Sequence, residues 1–308
     1  MPKIDKLKTV KPFLKWAGGK GQLLHKLSKF YPMQLYCGEV EMYVEPFVGG
    51  GAVFFDVMQK FEIKQAVIID INKELINCYR CIKVNVKNLI EELNMLQSTY
   101  SKLDEIKQSE LFYRVRNRYN LATIENEMDY KKAADFIFLN RTCFNGLYRV
   151  NSKGAFNVPF GKYKNPKICD EENLMQIHKL LQRVRILDGD YKQCNAYVSD
   201  KAFVYFDPPY RPITMTQSFV GYSKHGFSDN DQIELAQFSE QLTKKGCQVL
   251  LSNSDPKNTD EYDNFFDELY KRFNVSRVNA KRMINCHADK RGGVTEIVVS
   301  NYEWGGVI

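Results

Sequence analysis

Long apolar runs are missing from this 308-residue chain. No stretch approaches the ~20 apolar residues that cross a bilayer, and Met1-Pro2-Lys3-Ile4-Asp5 lacks the apolar core of a signal peptide, so a cytoplasmic protein with no membrane attachment is expected. Close cysteine pairs are few: eight cysteines in so long a chain are unremarkable, and only Cys78 and Cys81 stand close together. A zinc site wants a second such pair at usable spacing, and none exists. The pair falls in a stretch that reads as helix, Ile71 to Gln97, so packed or surface thiols are expected. Histidine is scarcer still, four residues scattered along the chain, which supports neither a metal nor a Cys/His nucleophile. No cluster of acids has metal-ligand spacing, and neither an internal repeat nor a low-complexity tail is present.

What is there is apolar content of 44%, enough for a large core, and an excess of Lys and Arg over Asp and Glu of 44 to 37, a net charge of +7 that favours an anionic partner. At roughly 150 residues per domain, the length fits one domain carrying a large insertion. The opening reads as a βαβ unit: strands Met42 to Val44 and Gln65 to Ile69, a crossover helix Ala52 to Lys60, and a Gly-rich turn between. From about Asn72 to Gln182 long helical stretches give way, between Asn140 and Lys167, to a basic, Asn- and Gly-rich region with little periodicity. Alternation then resumes with strand Ala202 to Phe206, helix Asp229 to Lys244 and strand Cys247 to Leu251. Phe273 to Val278 and Val294 to Val299 close as a hairpin across Lys290-Arg291-Gly292-Gly293. The expected architecture is therefore α/β, with a main domain over 1–71 and 183–308 and an inserted, mainly helical lobe over 72–182.

Asp207-Pro208-Pro209-Tyr210 follows the buried strand, placing an acid, two rigid prolines and an aromatic ring at a sheet end, where open α/β sheets keep their chemistry. The prolines fix φ near about −65° and lack N–H donors, so the turn keeps its shape and its carbonyls stay available. An acid, a carbonyl and a flat ring suit a planar amine. Glu45-Pro46-Phe47-Val48-Gly49-Gly50-Gly51 lets backbone approach a ligand, yet it lacks the ending of a P-loop and the spacing of a dinucleotide fingerprint. Asp70 ends the second strand about 20 residues past Gly49, where an acid binds ribose hydroxyls. A nucleoside without phosphates fits best. Lys15-Trp16-Ala17-Gly18-Gly19-Lys20, ahead of a helix, offers backbone N–H groups for a carboxylate, and Gly189-Asp190-Tyr191 sets an acid beside an aromatic for an adenine.

Taken together and in this order, these segments, with Phe138 to Asn151 and Phe156 to Gly161, resemble the Dam-like alpha group of DNA adenine N6-methyltransferases over about Pro12 to Tyr302. The resemblance implies a Rossmann-like sheet dependent on S-adenosylmethionine, an inserted DNA-recognition lobe and a C-terminal antiparallel hairpin. It implies that Trp16, Ala17, Gly18 and Lys20 surround the methionine end of the donor, Phe47 with Gly49 its middle, Asp70 its ribose, and Asp190 with Tyr191 its adenine, while Asp207 borders donor and target. Asp207, Pro208 and Tyr210 are the implied catalytic residues, the first two accepting hydrogens of the target amine and the third stacking on a flipped base.

By the same resemblance Arg149 reads a guanine, Leu147 and Pro159 meet a thymine, Phe144 inserts between bases and Lys15 contacts the first guanine. Asn140, Arg141, Asn145 and Asn151 complete the expected interface with double-stranded DNA, and the target is GATC. Arg114, Arg116 and Arg118 do not share a helical face and offer at most phosphate contact. A cognate restriction endonuclease acting separately is a further expected partner. The alternatives are an RNA base amino-methyltransferase and a catalytically silent DNA-binding relative.

Overall fold

The computed structural model describes residues 9–122, 128–211, 227–280 and 294–304. They form two compact units, one drawn from Met1–Gly19, Gly49–Glu62 and Lys73–Arg183, the other from Lys20–Val48, Ile63–Asn72 and Val184–Ile308. The helical unit thus holds the stretch expected as the inserted lobe, and with it parts of the entry segment and of the first crossover.

Among the described residues the second unit contains one seven-stranded sheet: β1 (Met42–Glu45), β2 (Gln65–Asp70), β3 (Val184–Asp188), β4 (Ala202–Phe206), β5 (Gln248–Ser254), β6 (Asn274–Ala280) and β7 (Val294–Ser300). The order is β3-β2-β1-β4-β5-β7-β6. β1 to β5 run parallel, and β7 is antiparallel to both neighbours. The expected mostly parallel sheet with a closing antiparallel pair is what forms. The turn joining β6 to β7, with Lys290 to Gly293, lies outside the described residues. All five residues of β4 are buried, as a central parallel strand covered on both faces requires. β3 was not foreseen: it lies at the sheet edge and interrupts its apolar residues with the exposed Arg185.

Chain order reverses between β1 and β4. β2 and β3 follow on one side and β5 on the other, which makes a switch point, and ligands of open α/β sheets bind beyond the strand carboxyl ends there. The Glu45-to-Val48 turn and Asp207 both leave the sheet at that place, because Val44 pairs with Val204. Helix Asp229–Lys244, closed by a capping box at Ser228 and Asp231, buries Leu235, Phe238 and Leu242 in one cluster with Val204, Phe206, Val249 and Ile297. Each such side chain contributes ~1.5–3 kcal/mol on leaving water.

In the helical unit, helix Tyr130–Thr142 packs against helices Lys73–Val84, Val86–Ser101 and Glu105–Leu121 and is buried nearly all round, as a helix central to a bundle must be. The stretch expected as a single helix from Ile71 to Gln97 is two, broken at Asn85, whose backbone leaves helical geometry at φ −123° and ψ 31°. Cys78 and Cys81 face the interior as free thiols, and burial pushes Cys81 up to about 12. Beyond Thr142 the aperiodic segment is tied by bridges from Cys143 to Phe160 and from Val150 to Phe156. Helix Ala52–Lys60 forms as expected after Gly51, which holds the left-handed φ of 73°.

Candidate active site and nucleic-acid interface

β4 delivers Asp207 to the switch point, where the carboxylate is 20% exposed. Its Oδ1 accepts from the Lys20 ammonium at 2.5 Å and from the Ser252 hydroxyl at 3.2 Å. Burial raises the Asp207 carboxyl above its ordinary value, while Lys20 and then Ser252 oppose the rise. Lys20 is itself 3% exposed, so the two charges are desolvated together and each requires the other. The Lys20 ammonium also stands 4.7 Å from the centre of the Tyr210 ring, within cation–π range. Tyr210 donates its hydroxyl hydrogen to Glu296 Oε2 at 2.6 Å.

The turn is held at its far side as well. The Pro209 carbonyl accepts from Gln232 at 3.1 Å, and Gln232 in turn accepts from Asn253 at 3.1 Å. Arg211 pairs with Asp229 and Asp263 at 2.7 and 2.6 Å, and its guanidinium lies 4.2 Å from the centre of the Phe265 ring. These contacts keep Asp207 and Tyr210 in place without a strand ladder around them.

Along the same sheet edge, Asp70 ends β2 half-buried, accepting the Asn72 N–H at 2.9 Å. Its backbone carbonyl receives the Gly189 N–H at 3.0 Å. Gly189 has φ +133°, and a Cβ there would meet the Gln193 amide at 2.2 Å, so the loop reaching Asp190 needs glycine. Asp190 is exposed and caps a turn by accepting from Lys192 N–H at 2.8 Å. Tyr191 is 6% exposed, stacked on Phe47 with centroids 5.3 Å apart and edge-on to Phe206 and Phe238, within the aromatic core that seats Phe47.

In the helical unit the glycine turn receives Trp16. A Cβ on either Gly49 or Gly50 would come within 2.9 Å of that side chain, so the turn is glycine-rich to seat an indole as well as to approach a ligand. Trp16 is half-buried and stacks on Tyr148 at 5.6 Å. Ala17 and Gly18 are exposed.

The expected DNA-contacting residues divide. Phe144 is 52% exposed, and Asn145, Arg149 and Pro159 are exposed too, with Leu147 half-buried among them. The Phe144 N–H bonds the Pro159 carbonyl at 2.9 Å, which sets these residues side by side on one loop pair. Arg149 Nε donates to the Asn157 side chain at 2.8 Å, so Asn157, to which sequence reasoning gave no role, aims the arginine. Lys15 lies 4.6 Å over the Tyr163 ring, and Gly146 makes room for its stem.

Three further residues of the expected interface bond the backbone. Asn140 is 2% exposed and spans the Lys15 backbone, accepting from its N–H and donating to its carbonyl, both at 2.8 Å. Arg141 donates to the Phe13 carbonyl at 2.7 Å, and burial lowers its pKa. The Asn151 side chain closes its own turn on the N–H groups of Lys153 and Ala155. Arg118 pairs with the buried Asp135 while its own side chain stays exposed.

Residues 16–284 match the family described as D12 class N6 adenine-specific DNA methyltransferase. The chain belongs to that family. Among its relatives, this D12 methyltransferase is 52% identical to Type II methyltransferase M.MjaIII of Methanocaldococcus jannaschii, covering 95% of this chain and 99% of the relative. It is 40% identical to Type II methyltransferase M1.LlaDCHI of Lactococcus lactis subsp. cremoris, covering 95% and 96%. It is 32% identical to the DNA adenine methylase of Escherichia coli K12, covering 95% of each. The enzyme is thus a DNA adenine N6-methyltransferase, which sets aside the RNA methyltransferase and the silent relative, and its sheet is the expected Rossmann-like one. Glu296, Ser252 and Asn157 are the site residues that sequence reasoning missed.

Proposed function

We propose that the enzyme transfers the methyl group of S-adenosylmethionine to N6 of an adenine turned out of duplex DNA, within GATC. The observation that carries the reading is Asp207, desolvated at the switch point and held beside Tyr210 on an anchored turn. When bound, the donor supplies an electrophilic methyl on a sulfonium. The residues then have mainly to orient a poor nucleophile, the adenine amine, whose lone pair is delocalised into the ring. Asp207 accepts one N6 hydrogen and the Pro208 carbonyl the other, which favours a tetrahedral nitrogen. As positive charge grows there, the carboxylate stabilises it. Lys20 serves this step by opposing the rise in the Asp207 pKa, keeping it an ionised acceptor.

The residues along the sheet edge fit a nucleoside. Asp70 takes the ribose hydroxyls and Asp190 the adenine edge, with Phe47 and Gly49 along the donor's middle, Phe47 backed by the buried Tyr191. Ala17 and Gly18 border the methionine end, in a turn seated through Trp16. On the DNA, Arg149 reads guanine, Leu147 and Pro159 the thymine methyl, Lys15 the first guanine, and Phe144 wedges the stack, with Asn145 at the rim. The Type II names of the relatives at 52% and 40% identity support a modification role beside an endonuclease that acts separately.

The test is nucleoside analysis of DNA treated with enzyme and donor. N6-methyldeoxyadenosine as the sole new product is expected; methylcytosine, or product only on RNA, would sink the proposal.

A further inference from the structure

We infer that Glu296 is a positioning residue for methyl transfer, its carboxylate holding the Tyr210 hydroxyl and so fixing the ring on which the target adenine stacks. The inference rests on the reading of Tyr210 as the stacking face. β7 is the strand that runs against the rest of the sheet, and its register sets Glu296 opposite Ser254 and Val278. The beginning of β7 therefore lies beside the carboxyl end of β5, and brings an acid from the far end of the chain to the edge where Asp207 emerges.

Tyr210 needs such a partner. It lies past the end of β4, and among the described residues its backbone is secured at Pro209 and Arg211. A bond at the hydroxyl, the tip of the side chain, fixes χ1 and so the place of the ring, while its rotation about the Cβ–Cγ axis is limited by what lies over its faces. The observed separation of 2.6 Å lies in the range of about 2.5–2.7 Å for a hydroxyl donating to a carboxylate. The Lys20 ammonium over the ring adds attraction but little direction. Glu296 is half-buried and faces Tyr210, with the Lys20 and Asp207 charges nearby. An apolar side chain would satisfy the strand at lower cost than a desolvated carboxylate. Adjacent Thr295 turns instead to Asp255 and Asn258, so the strand sends one residue to the scaffold and the next to the site.

The experiment is a double-mutant cycle on the full-length enzyme: Glu296→Ala, Tyr210→Phe and the pair, with Glu296→Gln and Tyr210→Ala as controls. Single-turnover methyl transfer, donor affinity and the emission of 2-aminopurine at the target position are read for each. Glu296→Ala and Tyr210→Phe should each slow transfer about tenfold, the worth of one hydrogen bond to a charged group. The double variant should be no slower than either, because both remove one interaction. Glu296→Gln, whose amide oxygen still accepts, should restore most of the rate. Donor affinity should stay at the wild-type value, which also reports an intact fold, while emission brightens as the base loses its platform. Multiplying effects, or wild-type transfer and emission in Glu296→Ala, would overturn the inference while a crippled Tyr210→Ala leaves the stacking reading standing. Wild-type rate and emission in Tyr210→Ala would overturn the stacking reading and this inference with it.

Discussion

In the proposed mechanism Asp207 must be both desolvated and charged, and those demands conflict. Burial drives its carboxyl toward the neutral form, and a neutral acid accepts the adenine N6 hydrogens poorly; Lys20 supplies the opposing cation. The sign of the pH dependence follows. Transfer requires the carboxylate, its pKa is raised, and so activity should fall away on the acid side at a pH above the ordinary range of an aspartate. Lys20→Met removes the principal effect lowering that pKa and should move the acid limb to higher pH at saturating donor, with the alkaline side unchanged. Glu296 is also raised, by burial, so the comparison is made in the Glu296→Gln background. An acid limb that stays put in Lys20→Met would show that the Asp207 charge does not depend on the ammonium.

At the scale of elements, the loop pair after helix Tyr130–Thr142 carries both exposed residues proposed to read DNA and residues whose side chains hold backbone. Arg149→Ala should cost about 1–3 kcal/mol of discrimination at one guanine, the worth of a bidentate contact, with donor binding unchanged. Asn140→Ala should instead lower the unfolding free energy by about 1–3 kcal/mol, because two backbone groups of Lys15 lose buried partners. Base-substituted duplexes and chemical denaturation measure the two. Equal weakening by Arg149→Ala on every DNA would reduce it to a phosphate contact. What could be read in advance divides along similar lines. β4 was visible because a central parallel strand is apolar throughout, and Asp207 because it ends that strand. β3 was hidden because an edge strand admits Arg185, and Glu296 because only the antiparallel pairing of β7 brings it to Tyr210. Trp16 and Tyr191 were recognisable as aromatics, but composition does not reveal their ring partners, Tyr148 for the one and Phe47 for the other.

For the whole molecule, each unit brings a separate capacity. The sheet unit holds Asp207, Tyr210 and the acids Asp70 and Asp190 along the strand ends, the helical unit an exposed basic and aromatic loop pair, and no helix among the described residues is long and apolar enough to cross a membrane. The central claim is that these capacities act on one adenine in one sequence. The measurement that tests it most directly is transfer of labelled methyl from S-adenosylmethionine to three duplexes alike except at the site: GATC, AATT with both outer pairs changed, and GTAC with the adenine moved. Label confined to the GATC duplex is the predicted result. Equal label on all three, or label on AATT alone, would contradict the assignment of Arg149 and its neighbours and with it the proposed target.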